Sequence, residues 1–360
     1  MMLQLLIKNR ITLGKLRRIV HYEFWPPYIF YFPLILYLLY LSIKYRSFMA
    51  FTAVNPGIEN SGLVGESKAA IFNLFEDKSS IAKYELISTD LEEFEKIAVV
   101  KSFVKKNNLE YPIVLKPNIG QRGSGVLIIK NIDEATAYLK DKNFNIIVQE
   151  FIDGIEFGVF YYRYPGDLKG KIYSITEKIY TSVIGDGEST LKELILNSNR
   201  GITQFDLYLE RHKDKLEDVL ELGQEFKLVD IGTHCRGSLF LDGAYLNTDL
   251  LLEAINNISR KIRGFYFGRF DIKVSSKQDL ENGINLKILE LNGVGAEATH
   301  IYDPKLNIFS AYKSLFKQWK IAYEIGKDNI MYKDTKTTSL FEIFKVFKNY
   351  ELLFNAHPGN

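Results

Sequence analysis

Two short runs, Gly-Arg-Phe-Asp-Ile-Lys-Val at 268–274 and Ile-Asn-Leu-Lys-Ile-Leu-Glu-Leu-Asn at 284–292, constrain this chain most. In the first, Phe270, Ile272 and Val274 alternate with Arg269, Asp271 and Lys273. Period 2 predicts a strand with one buried face. The second run also reads as a strand, with Glu290 and Asn292 on one face. The polar linker 275–283 ends in Glu-Asn-Gly, a turn signal, so the two strands are expected to pair as a hairpin. Pairing would bring Asp271, Glu290 and Asn292 together as oxygen ligands. Mg²⁺ takes such a set, one or two carboxylates completed by substrate phosphates. The same pattern also fits the solvated outer face of a hairpin, and spacing alone leaves both readings open.

Composition narrows the field. With 360 residues the chain is long enough for two or three packed units, and 46% hydrophobic residues supply a core. A net charge of +2 gives no argument for nucleic acid. The single cysteine, Cys235, excludes an intramolecular disulfide, and no Cys/His cluster suggests zinc. With five histidines and no recognisable partner motif, little supports Cys235 as a nucleophile.

The N-terminal region is unusual. Lys8, Arg10, Lys15, Arg17 and Arg18 precede residues 24–43, which carry no charge. A 20-residue helix is ~30 Å long, the thickness of the bilayer hydrocarbon. Trp25, Tyr28, Tyr40 and Tyr45 suit a water–lipid boundary. Lys44 and Arg46 make the second flank basic as well, and Pro26, Pro27 and Pro33 interrupt a straight helix. The expectation is a membrane-associated segment over 1–64, re-entrant or interfacial, with both flanks in the cytoplasm and lipid contacted through 24–43. A buried aromatic helix in a soluble domain is the alternative.

Further along, Tyr111–Lys116 reads as an apolar strand ending in a lysine, and Val126–Lys130 as another. Between them lies Asn-Ile-Gly-Gln-Arg-Gly-Ser-Gly at 118–125. Such a loop can cradle phosphate, because glycines let backbone N–H groups approach and Ser124 adds a donor. A flexible hairpin is the plain alternative. A strand at 145–150, a turn and a return follow, then strands at 159–164 and 171–179, a helix at 191–197 and a helix at 248–262. Two amphipathic helices, 308–325 and 339–354, close the chain. The second interleaves Leu340, Phe341, Phe344 and Phe347 with Lys345 and Lys348, which fits packing on the domain or a membrane surface.

Taken in order, Lys68, the strand to Lys116 with its glycine loop, Gln149-Glu150-Phe151-Ile152 with Glu156, and Asp271 with Glu290 and Asn292 resemble the ATP-grasp superfamily. The likeness is to its carboxylate–amine ligases: D-alanine–D-alanine ligase, the ATP-grasp part of cyanophycin synthetase and the bifunctional glutathione synthetases. It covers about 65–305, and Val183–Ile195 is similar to the cyanophycin synthetase group. The resemblance implies an α+β ATP-grasp fold of two lobes gripping ATP, the smaller nucleotide lobe at about 110–150, preceded by the apolar N-terminal helical segment and followed by C-terminal helices at 306–360.

It also implies roles. Lys68, Lys116 and Lys178 would contact the phosphates, and Gly123, Ser124 and Gly125 would fold over them. Gln149, Glu150, Phe151 and Ile152 would form the hinge that holds adenine, and Glu156 would accept from ribose hydroxyls. Asp271, Glu290 and Asn292 would bind two Mg²⁺ ions, with Mn²⁺ as an alternative, and Arg269 would face the tetrahedral intermediate. His234, Arg236 and the loop 293–297 would lie near substrate. The implied reaction joins a small-molecule carboxylate to an amine through an acyl phosphate. A kinase acting on a hydroxyl, or a membrane-docked nucleotide-binding scaffold, are the alternatives. The chain departs from the pattern in two places. Only about 65 residues precede Lys68, so the expectation is that the usual first domain is missing or much reduced, and Asn292 is followed by Gly-Val-Gly-Ala-Glu and not a Thr-Ser-Pro-Gly type of loop. Both weaken D-alanine as the substrate.

Overall fold

A computed structural model describes residues 2–121, 123–229, 232 and 237–355. His234, Cys235 and Arg236 lie outside the described residues. In chain order come α1 (Met2–Val20), α2 (Pro27–Phe30), α3 (Phe32–Lys44), α4 (Lys68–Phe72), β1 (Tyr84–Ile87), α5 (Glu93–Lys106), β2 (Ile113–Pro117) and β3 (Leu127–Ile129). Then follow α6 (Ile132–Leu139), β4 (Ile146–Glu150), β5 (Ile155–Tyr162), β6 (Lys171–Ile179), β7 (Ser182–Ile184), α7 (Leu191–Asn197), α8 (Phe205–Arg211) and β8 (Glu225–Lys227). The last are β9 (Leu239–Asp242), α9 (Asp249–Arg260), β10 (Phe267–Val274), α10 (Lys277–Asn282), β11 (Lys287–Asn292), α11 (Ile308–Lys333) and α12 (Leu340–Asn355).

Two antiparallel sheets carry the architecture: β1-β4-β2-β3, and β11-β10-β5-β6-β9. The smaller sheet takes its edge strand from Tyr84–Ile87, so it reaches back well before residue 110. One face of it is a dry core. Ile113, Leu115, Ile146 and Val148 pack there on Val100 and Phe103 of α5 and Leu139 of α6. Alternation then turns Val114, Lys116 and Gln149 to the other face, toward the larger sheet. That sheet buries Phe157, Val159, Phe270 and Ile272 against Leu251 and Ile255 of α9. On its second face Phe160 and Phe267 pack on Ile321, Ala322 and Ile325 of α11.

Residues 268–292 depart from expectation in two ways. β10 was expected to bury one face only. It is a central strand between β5 and β11, and Asp271 and Lys273 are buried as well as Phe270 and Ile272. The linker is no tight turn: residues 277–282 form α10, capped by the Ser276 hydroxyl at Asp279 N and ended by Gly283 in the left-handed region. Asp279 and Leu280 make a helical turn there, and Leu280 is wholly buried in the α9 core.

The N-terminal segment also differs from expectation. The uncharged stretch 24–43 breaks into α2 and α3, because Pro26 precedes the first helix and Pro33 sits in the first turn of the second. At 13 residues α3 is ~20 Å long. Among the described residues no helix is long and apolar enough to cross a membrane. Phe30 and Leu34 pack on Ala311 and Leu315 of α11, and Leu41 packs on Tyr323. The segment is a strap against α11. Its continuation is sewn into the larger sheet, where wholly buried Asn55 accepts from the Tyr266 and Phe267 amides at 2.9 and 3.0 Å and donates to the Phe267 carbonyl at 2.8 Å. In α12, Ile343 is buried and Phe344 is exposed.

Candidate active site

Register builds the site. Asp271 lies directly opposite Glu290, and Arg269 opposite Asn292, so all four share one face of the β10–β11 pair. On the other flank Asp271 faces Gly158 of β5, and Lys273 faces Glu156, which in turn faces Lys178 of β6. Gly158 has a steric reason. A Cβ there would stand 3.1 Å from Arg269 Cδ and 3.6 Å from Asp271 Oδ1. The convergence expected for Asp271, Glu290 and Asn292 is therefore present, and Arg269, Lys178 and Glu156 join it.

The charges are tightly coupled. Lys178 Nζ lies 2.6 Å from Glu156 Oε1 and 3.0 Å from Asp271 Oδ1, and Arg269 Nε donates to the same Asp271 oxygen at 3.0 Å. Burial pushes the Asp271 carboxyl up, but Arg269 and Lys178 outweigh it and hold the group at about 2. Burial works against the Lys178 charge too, yet Asp271 and Glu156 raise its pKa. Asn292 Nδ2 donates to Asp271 Oδ2 at 3.3 Å. Arg269 is pinned further by its bond to the Glu297 carbonyl at 2.8 Å.

The smaller sheet contributes across the cleft. β11 carries an extra residue between Ile288 and Glu290, and this bulge turns the Leu289 carbonyl toward the smaller sheet. Lys116 Nζ donates to that carbonyl at 3.1 Å, and Gln149 Nε2 at 3.3 Å. Lys116 is buried, which lowers its pKa to about 8 against the pull of Glu290. Lys68, in the first turn of α4, lies 3.4 Å from Glu290 Oε1 and donates to the Gly120 carbonyl at 2.7 Å. The base of the glycine loop is locked to α4, because Asn118 accepts from the Ala69 amide and donates to the Ser67 hydroxyl. Gly123 and Gly125 have φ of +71° and +68°, and a Cβ on Gly125 would meet Pro117 Cγ at 2.8 Å.

A cavity of about 150 Å³ lies between the sheets. Lys68, Lys116, Gly123, Ser124, Gln149, Glu150, Phe151, Ile152, Glu156, Lys178, Asp271 and Glu290 all line it. Gly125 and Asn292 do not; Gly125 shapes the loop, and Asn292 faces a larger chamber next door. Gln149 and Glu150 end β4, and residues 151–154 join β4 of the smaller sheet to β5 of the larger one. Glu150 has its side chain tied to the Lys83 amide at 3.0 Å. Both Glu156 oxygens are engaged, Oε1 by Lys178 and Oε2 by the Tyr180 hydroxyl at 2.6 Å.

Several lining groups escaped sequence reading. Lys273 donates to the Ile152 carbonyl at 2.8 Å and lies over the Phe151 ring. Its parity with Asp271 was the available signal. Glu66 lines the larger chamber; burial raises its pKa, and its Oε2 has no hydrogen-bond partner among the described residues. It stands two residues before Lys68, which was a clue. Tyr31 and Tyr302 each donate to Glu297, at 2.7 and 2.8 Å, an arrangement no local pattern encodes.

The larger chamber, of about 940 Å³, shares Lys178, Asp271, Glu290, Gly120 and Gly123 with the cleft cavity. The expected loop 293–297 contributes Gly295, Ala296 and Glu297. Among the described residues no group of three or more His, Cys, Asp or Glu side chains could hold a metal ion. Asp271 and Glu290 are two carboxylates and Asn292 adds an amide oxygen. That all-oxygen set still fits Mg²⁺, which fills its remaining positions with phosphate and water.

Two sheets face each other over a lysine-lined cavity with a glycine loop in an α+β architecture. Residues 82–157, which run from before β1 into β5, match the family described as RimK-like ATP-grasp domain. Together with the two-sheet architecture, that match supports an ATP-grasp fold. Over 118 residues the chain is 30% identical to the glutathione biosynthesis bifunctional protein GshAB of Streptococcus mutans, covering 31% of this chain and 14% of that protein. Over 96 residues it is 33% identical to cyanophycin synthetase of a Synechocystis species, covering 25% of this chain and 10% of that protein. The chain thus spans only a small part of the curated relatives it matches. Among solved structures, the D-alanine–D-alanine ligase of Coxiella burnetii aligns at a TM-score of 0.41 and 11% identity, covering 78% of this chain and 61% of that one.

Proposed function

We propose that this protein is an ATP- and Mg²⁺-dependent ligase that joins a carboxylate to an amine through an acyl phosphate. The reading rests foremost on the opposed pair Asp271 and Glu290, set between Lys68, Lys116 and Lys178 on the wall shared by the two cavities. The match to the RimK-like ATP-grasp domain and the named ligase relatives support it.

Asp271, Glu290 and Asn292 would hold Mg²⁺, two ions in this reading. Bound Mg²⁺ supplies charge neutralisation at phosphate oxygens and orients them. Lys116 and Lys68 place cations at the phosphates from the smaller sheet and from α4. Lys178, which pairs with Asp271 at 3.0 Å, would be a further cation for the phosphates. Arg269 stays pinned by the Glu297 carbonyl, a fixed cation beside the reacting carbon's developing negative oxygen. Gln149 to Ile152 wall the adenine side, with Glu156 beside the ribose.

α3 also presents Phe32, Ile35, Leu36, Leu39, Tyr40 and Ile43, a stripe at helical spacing, each 49–74% exposed. With Lys44 and Arg46 following, this face suits docking on an anionic lipid surface from the cytoplasmic side. Flotation with phosphatidylserine vesicles tests that part, and failure to float with them refutes it.

For the ligase itself, the protein is incubated with Mg-ATP and pooled carboxylates and amines, and ADP, phosphate and new amides are measured. Phosphate release coupled to an amide supports the reading. A phosphoester product, or no nucleotide turnover by folded protein, overturns it.

A further inference from the structure

The N-terminal strap walls the larger chamber. Trp25, Phe30, Leu34, Ile35 and Leu38 line it, together with Arg269, Asp271 and Glu290. At about 940 Å³ it has about six times the room of the cleft cavity at about 150 Å³. That volume sits at the top of the ~300–1,000 Å³ range of ligand pockets. Its lining is divided in character. The reaction wall sets Lys178 and Arg269 among the carboxylates Asp271, Glu290 and Glu297, α1 adds the cations Lys15 and Arg18, and the α2–α3 wall is uncharged and apolar.

Ile35 links this interior to the outside. It lines the chamber, is 51% exposed, and belongs to the apolar stripe of α3. Its stripe neighbours Phe32, Leu36 and Leu39 are exposed and uncharged. Apolar surface therefore continues from the chamber to the protein's exterior at this residue. Where α3 meets α11, Leu34 is buried, and the Tyr312 hydroxyl donates to the Phe30 carbonyl at 2.9 Å. The strap is held on the domain as a wall.

We propose that the chamber takes an anionic amphiphile, a carboxylate placed beside Arg269 with an apolar tail along Phe30, Leu34, Ile35 and Leu38 toward the mouth at Ile35. The assignment rests on the ligase reading for the role of the carboxylate, and the strap is then the element that selects the substrate. Each buried methylene is worth up to about fourfold in affinity, so binding should climb with chain length.

The test is calorimetry of the full chain with acetate, octanoate and dodecanoate, each below its micellar concentration, and separately with Mg-ATP. Dodecanoate should bind at least a hundredfold tighter than acetate. Ile35→Asp should weaken dodecanoate by tenfold or more. Ile43→Asp, on the same exposed stripe but outside the chamber lining, should leave it unchanged, and neither substitution should alter Mg-ATP binding. Dodecanoate binding no tighter than acetate overturns the inference. Equal losses in both variants also overturn it, by placing the tail on the outer face. The ligase reading is judged by the Mg-ATP arm: folded protein that takes up dodecanoate and no Mg-ATP refutes that reading and leaves the chamber's ligand class standing.

Discussion

Lys116 offers a prediction with a number attached. Its ammonium is buried in the cleft with the Leu289 carbonyl as acceptor, and burial lowers its pKa to about 8. Phosphate binding needs the charged form. The fraction charged falls by about tenfold between pH 7 and pH 9 for a group titrating at 8. The apparent Kd for Mg-ATP should therefore weaken about tenfold over that interval, measured by calorimetry in buffers of matched ionic strength. Lys116→Arg keeps its charge throughout and should flatten the profile. Lys116→Met should bind weakly at every pH. Stability runs the other way. The folded state loses this proton near 8 and the unfolded state near 10.4, so the unfolded chain binds more protons between those values and the fold gains stability as pH rises. The gain due to Lys116 is about 3 kcal/mol, read as the difference from Lys116→Met in urea unfolding. A wild-type Mg-ATP profile that is flat from pH 7 to 9, or a slope retained in Lys116→Arg, refutes the reasoning.

Asp271→Asn should abolish phosphate release and cost about 3 kcal/mol in urea unfolding, since Lys178 and Arg269 keep buried charge with no carboxylate between them. Because the Asp271 carboxyl is held at about 2, its contribution is present above pH ~4 and fades as pH falls toward 2; the variant should lack that part of the acid profile. Gly125→Ala should destabilise by about 1–3 kcal/mol and weaken Mg-ATP binding, as φ is +68° and the new methyl meets Pro117. Glu23→Gln breaks the 2.6 Å ion pair with Arg200 that ties the strap to the domain, and should lower the unfolding free energy by about 2 kcal/mol.

The alternating run at β10 and its i, i+2 carboxylate and amide partners were legible, because the period of a strand fixes which side chains share a face. The glycine loop was equally legible, since positive φ and close approach to Pro117 leave few other residues able to stand there. What local pattern could not show was the second partner of β10. Pairing with β5 makes both faces buried and brings Lys178 and Glu156 to Asp271 from residues about a hundred positions away. Nor could it show that the uncharged stretch 24–43 lies on α11. Its buried contacts, Phe30, Leu34 and Leu41, are matched by Ala311, Leu315 and Tyr323 nearly three hundred residues later. Length and hydropathy describe such a segment identically whether lipid or a helix covers it.

The central claim is that a carboxylate is phosphorylated at the face shared by Asp271, Glu290 and Arg269. The most direct measurement uses carboxylates labelled with ¹⁸O on both oxygens, incubated with the protein, Mg-ATP and an amine pool. Mass spectrometry of the inorganic phosphate should find one ¹⁸O atom per phosphate released, with ADP as the nucleotide product. Phosphate free of label, or AMP in place of ADP, contradicts the account.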